Sequence, residues 1–174
     1  AGLIGARPGL AEDANANGSD VTVLTGGTLI DVTSGETMAD AVVIIRGERV
    51  EAVGPAGTVA IPANATIIPM DGRWLVPGLM NMHVHLGLKL PGAAGAALVD
   101  ETDVEEVLRM AANARRSLES GVTTLRLIGE DHGTDFALKK AIDSGQITGP
   151  RIETAGEVIV PTGGHGSLEA DGPY

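Results

Sequence analysis

The sequence predicts an α/β protein in which a small all-β region leads into parallel β/α units, and two patterns carry that expectation. Between residues 21 and 73, the β-type runs Val21–Leu24, Thr28–Ile30, Ala41–Ile45, Val50–Val53 and Thr66–Ile68 are separated by glycine turns and show no helical period. From Trp74 onward the order becomes strand, helix, strand, helix, strand, the signature of parallel β/α units. Three zones follow. Residues 1–20, rich in Ala, Gly, Asn and Asp, read as a flexible N-terminal arm; residues 21–73 read as a small β-sandwich or half-barrel portion; residues 74–174 read as the first β/α units of a larger domain.

Each element has a local reason. Arg46-Gly-Glu-Arg49 is a hairpin connection between two of the β runs. Five short strands bury little by themselves and need another layer to lean on. The apolar stretch Leu75–His85 is interrupted by Pro77-Gly78 and finishes as Leu79-Met-Asn-Met-His-Val-His85. The spacing then predicts a helix over 102–120. Thr102 and Glu105 make a capping box, Val104, Val107, Leu108, Ala111 and Leu118 share one face, and Gly121 stands where a C-terminal cap belongs. Val122–Ile128 is the next strand. Asp135–Ser144 is a second helix with Leu138, Ala141 and Ile142 turned inward, and Pro150 precedes an extended segment over 151–155. Gly92–Ala97 reads as a flexible loop. A closed parallel barrel takes eight strands and about 250 residues. Three strands leave an exposed edge, so the sheet that starts near Trp74 needs further polypeptide to complete it.

Composition narrows the function classes. Of 174 residues 43% are hydrophobic and 20% charged, a globular balance, and with aromatics at 2% the core is built from aliphatic side chains. The net charge of -11 argues against a nucleic-acid partner and against an anionic membrane surface. With no cysteine, disulfides and thiolate metal sites are excluded, and the compartment stays open between cytoplasm and periplasm. No apolar run approaches the roughly 18 residues of a membrane span. No phosphate loop and no Gly-x-Ser-x-Gly nucleophile elbow are present.

His83-Val84-His85 is the sharpest chemical feature. Residues i and i+2 of a strand share a face, so two imidazoles project together and can share one divalent ion; the plain alternative is a strand end meeting solvent. The surrounding segment Val76-Pro-Gly-Leu-Met-Asn-Met-His-Val-His85 resembles the metal-binding signature of the amidohydrolase superfamily. Gly121-Val-Thr-Thr-Leu-Arg126, Ala141–Ile152 and Pro161-Thr-Gly-Gly-His-Gly166 resemble, in the same order, that superfamily's second strand, its passage into the third, and an active-site loop of its prolidase and imidazolonepropionase-like branch.

The resemblance implies an incomplete TIM-type (β/α)8 barrel, represented by its first three strands and preceded by part of a small β-sandwich. It implies a metal-dependent hydrolase in which water activated on a divalent ion cleaves amide bonds of dipeptides or N-acyl amino acids. A cyclic amidohydrolase of imidazolonepropionase or hydantoinase type, or a catalytically inactive fragment, is the alternative. His83 and His85 are the implied metal ligands, with one or two ions and zinc as the default for nitrogen and oxygen donors. His165, after the third strand, is the implied substrate-binding residue, since barrels of this kind place their sites at that rim; the plain alternative is a loop histidine meeting solvent. No catalytic residue is assigned. The implied partners are a small amide or dipeptide substrate and the rest of the barrel, as a second chain or as missing sequence, with a homo-oligomer when complete. Three departures stand out. The superfamily's later ligands, a carboxylated lysine, two histidines and an aspartate, have no match here, and Asn81 and Leu127 occupy positions where aspartate is common. His132 reads as an ordinary loop residue, and Arg126 as either a substrate-facing cation or the partner of an acid.

Overall fold

The structure is a computed structural model that describes residues 20–89, 92–161 and 164. The chain divides into two compact units, with the boundary between Pro77 and Gly78.

The first unit is one mixed sheet. Its strands are β1 (Val21–Ile30), β2 (Thr37–Arg46), β3 (Arg49–Pro55), β4 (Thr66–Pro69) and β5 (Trp74–Leu75). The order is β3-β2-β1-β4, with β5 also on β1; β1-β2 and β2-β3 are antiparallel, and β4 and β5 run parallel to β1. Trp74 and Leu75 thus belong to this sheet, although the sequence pattern placed the change of architecture at Trp74. The expected turn at Gly26-Gly27 is also absent: β1 passes through it, with register shifts on either side of Gly27. The pair makes a kink within one strand. Gly26 has φ +77, and a Cβ there would lie 2.1 Å from the Asp71 carboxylate, so only glycine fits. Val21, Val23, Val42 and Ile44 form the buried core of this unit, backed by Ala52, Val59 and Ala65. The opposite face is also apolar: Leu24, Val43, Ile45, Val50, Val53 and Leu75 line an open concavity.

The second unit is a parallel sheet of β6 (Leu79–Val84), β7 (Val122–Leu127) and β8 (Arg151–Thr154), in that order. Helix α2 (Asp103–Glu119) connects β6 to β7, and α3 (Thr134–Asp143) connects β7 to β8; a single turn, α1 (Ala93–Ala96), forms where the glycine- and alanine-rich loop was expected. The Thr102–Glu105 capping box is formed. Both helices cover the same face, because Met110 and Ala114 of α2 and Leu138 of α3 share one core with Leu125, Leu127 and Ile152. Helices on one face only is the arrangement of a barrel wall; a doubly wound sheet would carry them on both. The inward face of α2 matches the expected one only in part: Ala111 packs against the core, and Val107 and Leu118 are half-buried. Met110 and Ala114 are buried, whereas Val104 and Leu108 are 71% and 66% exposed. They line a shallow groove with His132, Gly133 and Ala137.

Candidate functional site

The site begins with an irregularity in β6. Asn81 pairs with Leu125 and Val84 with Leu127, so three steps along β6 match two along β7. One extra residue reverses the face parity of everything after it. Val84 and Leu86 therefore enter the helix-side core, and His83 and His85 turn to the opposite, open face. The bulge frees two backbone groups from the ladder, and both find side chains. The His83 N–H donates to Asn81 Oδ1 at 3.2 Å, and the Met82 carbonyl accepts from Arg126 Nε at 2.7 Å. Arg126 is thereby a cation that bonds the neighbouring strand's main chain.

The two imidazole centroids lie 5.4 Å apart with planes inclined by 71°. With a metal–nitrogen distance of about 2.1 Å, an ion sits about 3.2 Å from a ligating ring's centroid, and a tetrahedral angle puts two such centroids about 5.2 Å apart. The observed separation suits two rings sharing one ion. His85 Nδ1 lies 3.3 Å from the Gly129 carbonyl. A carbonyl only accepts, so Nδ1 carries the proton in that contact and Nε2 keeps its lone pair. Among the described residues no group of three or more His, Asp or Glu side chains converges on a point that could hold a metal.

Several buried or half-buried ionisable side chains that the sequence did not single out bond the loops and strand ends of this unit. Glu130 is 3% exposed and accepts from the main-chain N–H groups of Leu86 and Gly87, at 2.5 and 3.0 Å. Burial pushes its carboxyl above the usual carboxylate range, and the two amide bonds oppose that shift. Glu101 accepts from Arg109 Nε and Nη2 with its two carboxylate oxygens, at 2.7 and 2.6 Å. That contact holds the Glu101 carboxyl below its ordinary range. Asp135 is fully buried and accepts from the Thr154 hydroxyl and from the Phe136 and Gly156 N–H groups, which ties α3 to the end of β8. In sequence, Glu130-Asp131 has the form of any solvated acidic pair, and only its place directly after a strand end points to another role.

The remaining predicted positions separate. His165 lies outside the described residues. His132 is exposed, with ring Nδ1 2.9 Å from Asp103 Oδ1 and its main-chain N–H donating to Glu157 Oε1. Leu127, where aspartate is common in the resembling superfamily, is fully buried against the helices.

Residues 74–172 match the family profile described as the Amidohydrolase family. Adenine deaminase of Rubrobacter xylanophilus is 35% identical over 77 residues, which is 44% of this chain and 13% of that protein. Ochratoxinase of Aspergillus niger is 26% identical over 175 aligned residues, covering 90% of this chain and 32% of the relative. Among solved structures, a Xaa-Pro dipeptidase with bound methionine in the active site superposes with TM-score 0.78 and 28% identity, over 88% of this chain and 37% of the other. Molinate hydrolase superposes with TM-score 0.72 and 28% identity, over 82% and 31%. The chain thus spans 13 to 37% of the length of these proteins.

Proposed function

We propose, from the premise that this chain belongs to the amidohydrolase family, that it forms the opening part of a metal-dependent hydrolase acting on the amide bond of a dipeptide or N-acyl amino acid. The observation that carries this reading is the His83–His85 pair, held at 5.4 Å on the open face at the C-terminal end of the first strand of a parallel sheet. Parallel barrels place their chemistry at that end.

In this reading His83 and His85 are two ligands of one divalent ion, zinc being the default for nitrogen and oxygen donors. When bound, such an ion supplies Lewis acidity, which polarises a carbonyl and brings the pKa of water toward neutrality. The chain's own residues do the positioning. Asn81 and Arg126 hold the bulge, the Gly129 carbonyl meets Nδ1 of His85 and orients its ring, and the exposed strand face carrying Arg126 and Glu153 offers polar groups beside the pair. Catalytic ions are usually held by three protein ligands. The remainder of the barrel therefore supplies at least one more, and the chain alone holds an ion weakly and turns nothing over. His165 remains the candidate contact for the substrate carboxylate or carbonyl.

The similarity to a Xaa-Pro dipeptidase supports an acyclic peptide or N-acyl amino acid. A cyclic substrate is the second reading, favoured by the similarity to adenine deaminase. Two measurements test the proposal. Cobalt titration of this chain should show weak uptake that is lost in His83→Ala and in His85→Ala; equal uptake by both variants would remove the ligand assignment. A polypeptide carrying the whole barrel, offered dipeptides and N-acyl amino acids beside cyclic amides and adenine, should hydrolyse the first group. Turnover confined to the cyclic compounds would transfer the assignment to the second reading.

A further inference from the structure

The two residues that follow the histidine pair are held in an unusual way. Leu86 and Gly87 are buried, yet among the described residues none of their main-chain polar groups bonds to a strand or helix backbone. Each is met by a side chain instead. Both N–H groups donate to Glu130, the Leu86 carbonyl accepts from Asn113 Nδ2 at 3.0 Å, and the Gly87 carbonyl accepts from Arg109 Nη2 at 2.9 Å. Four bonds fix a dipeptide immediately after His85. The approach is so close that a Cβ on Gly87 would lie 2.7 Å from Glu130 Oε2 and 2.6 Å from Glu106 Oε1. The residue before Glu130 is Gly129, whose carbonyl faces His85 Nδ1. The Gly129–Glu130 pair therefore grips His85 twice, through its ring and through the backbone beyond it.

We infer that Glu130 is a positioning residue for His85: by anchoring the Leu86 and Gly87 amides, it keeps the imidazole with Nδ1–H on the Gly129 carbonyl and Nε2 turned outward as the ligand atom. The inference rests on the reading of His85 as a metal ligand. Its physical basis is that a ligating imidazole is oriented by what its other nitrogen bonds to, and loss of such support typically weakens metal affinity about 10- to 100-fold. A carboxylate suits the task because both oxygens accept. Glutamine of the same shape turns an NH2 toward one of the two N–H groups and loses that bond.

The test uses the 15N-labelled 174-residue chain. Two-bond 1H–15N correlation spectra, with His85 assigned by the His85→Ala variant, report the ring tautomer without any metal. The expected result is a dominant Nδ1–H form in the parent chain. In Glu130→Gln and, through displacement of the loop, in Gly87→Ala, the population shifts toward the Nε2–H form. Cobalt titration should show at least about tenfold weaker uptake in Glu130→Gln. A parent His85 that is mainly Nε2–H overturns the inference, whatever the variants do. So does a Glu130→Gln chain with parent tautomer and parent cobalt affinity while His85→Ala has lost uptake. If His85→Ala binds cobalt like the parent, the ligand reading fails instead, and the tautomer populations alone decide whether Glu130 orients the ring.

Discussion

Arg126 and Asn81 show what a single side chain does for the site. Each bonds a backbone group that the β6 bulge has released, and both sit where water can partly replace them. Arg126→Met and Asn81→Ala should therefore each cost only about 1 kcal/mol in urea denaturation. A loss above about 3 kcal/mol would mean that the bulge cannot be solvated and that these groups hold the strand itself. Arg109 is in a different position. Its guanidinium is mostly covered, grips the nearly buried Glu101 carboxylate and holds the Gly87 carbonyl at once. Arg109→Met leaves that carbonyl unpaired and Glu101 with only the longer Lys89 contact at 3.7 Å, and should cost about 2–3 kcal/mol, read in the same experiment; a cost under about 0.5 kcal/mol would show that the loop is not anchored through it. The histidine pair was legible because two like residues at i and i+2 form a pattern. Arg109, Glu101 and Glu130 were not, since a charged residue that finds a buried partner 8 or 44 positions away looks, in sequence, like any solvated charge.

The helices show why element boundaries were easier to read than element faces. The start of α2 follows from Thr102 and Glu105, whose side chains satisfy each other's backbone N–H groups, and its end follows from Gly121 with φ +90. Its buried face could not be read in the same way. Apolar residues lie on more than one side, and the fit against Leu125, Leu127 and Ile152 selects Met110 and Ala114. In β1 the two glycines signalled a break, but the strand ladder continued through them because β2 could shift register to match. The end of α2 that carries Asp103 also meets His132, and that contact sets a pH dependence. Its hydrogen bond to Asp103, then the charges of Asp103, Asp131 and Glu157, raise the His132 pKa above its ordinary 6.5. The folded value is the higher one, so the contact's contribution is fully present below about 6.5 and is lost as pH rises through the folded midpoint. An NMR titration should place the His132 midpoint above that of an unstructured histidine. Asp103→Asn should bring it back down, and an unshifted midpoint in the variant would mean that the pair does not form in solution.

At the scale of the whole molecule, the arithmetic of strands was the most informative part of the sequence. Three β/α strands were too few for a closed barrel, and the second unit has three, with both helices on one face and β6 and β8 as edges with no further strand among the described residues. What the sequence could not convey is how much apolar surface this arrangement leaves uncovered. On β6, Leu79, Met80 and Met82 are exposed, and in the first unit Val50 and Val53 line an open apolar concavity. Contiguous exposed apolar surface and unpaired strand edges are features that soluble proteins ordinarily cover. The 174-residue chain in isolation should therefore bind a hydrophobic dye such as ANS and sediment with a mass that rises with concentration, despite a net charge of -11 that opposes association. A polypeptide carrying the complete barrel should do neither to the same degree, because its later strands continue the sheet from both edges. A dye-silent, concentration-independent monomer of the short chain would show that these faces are already covered, and the barrel-wall reading of the second unit would then lose its energetic basis.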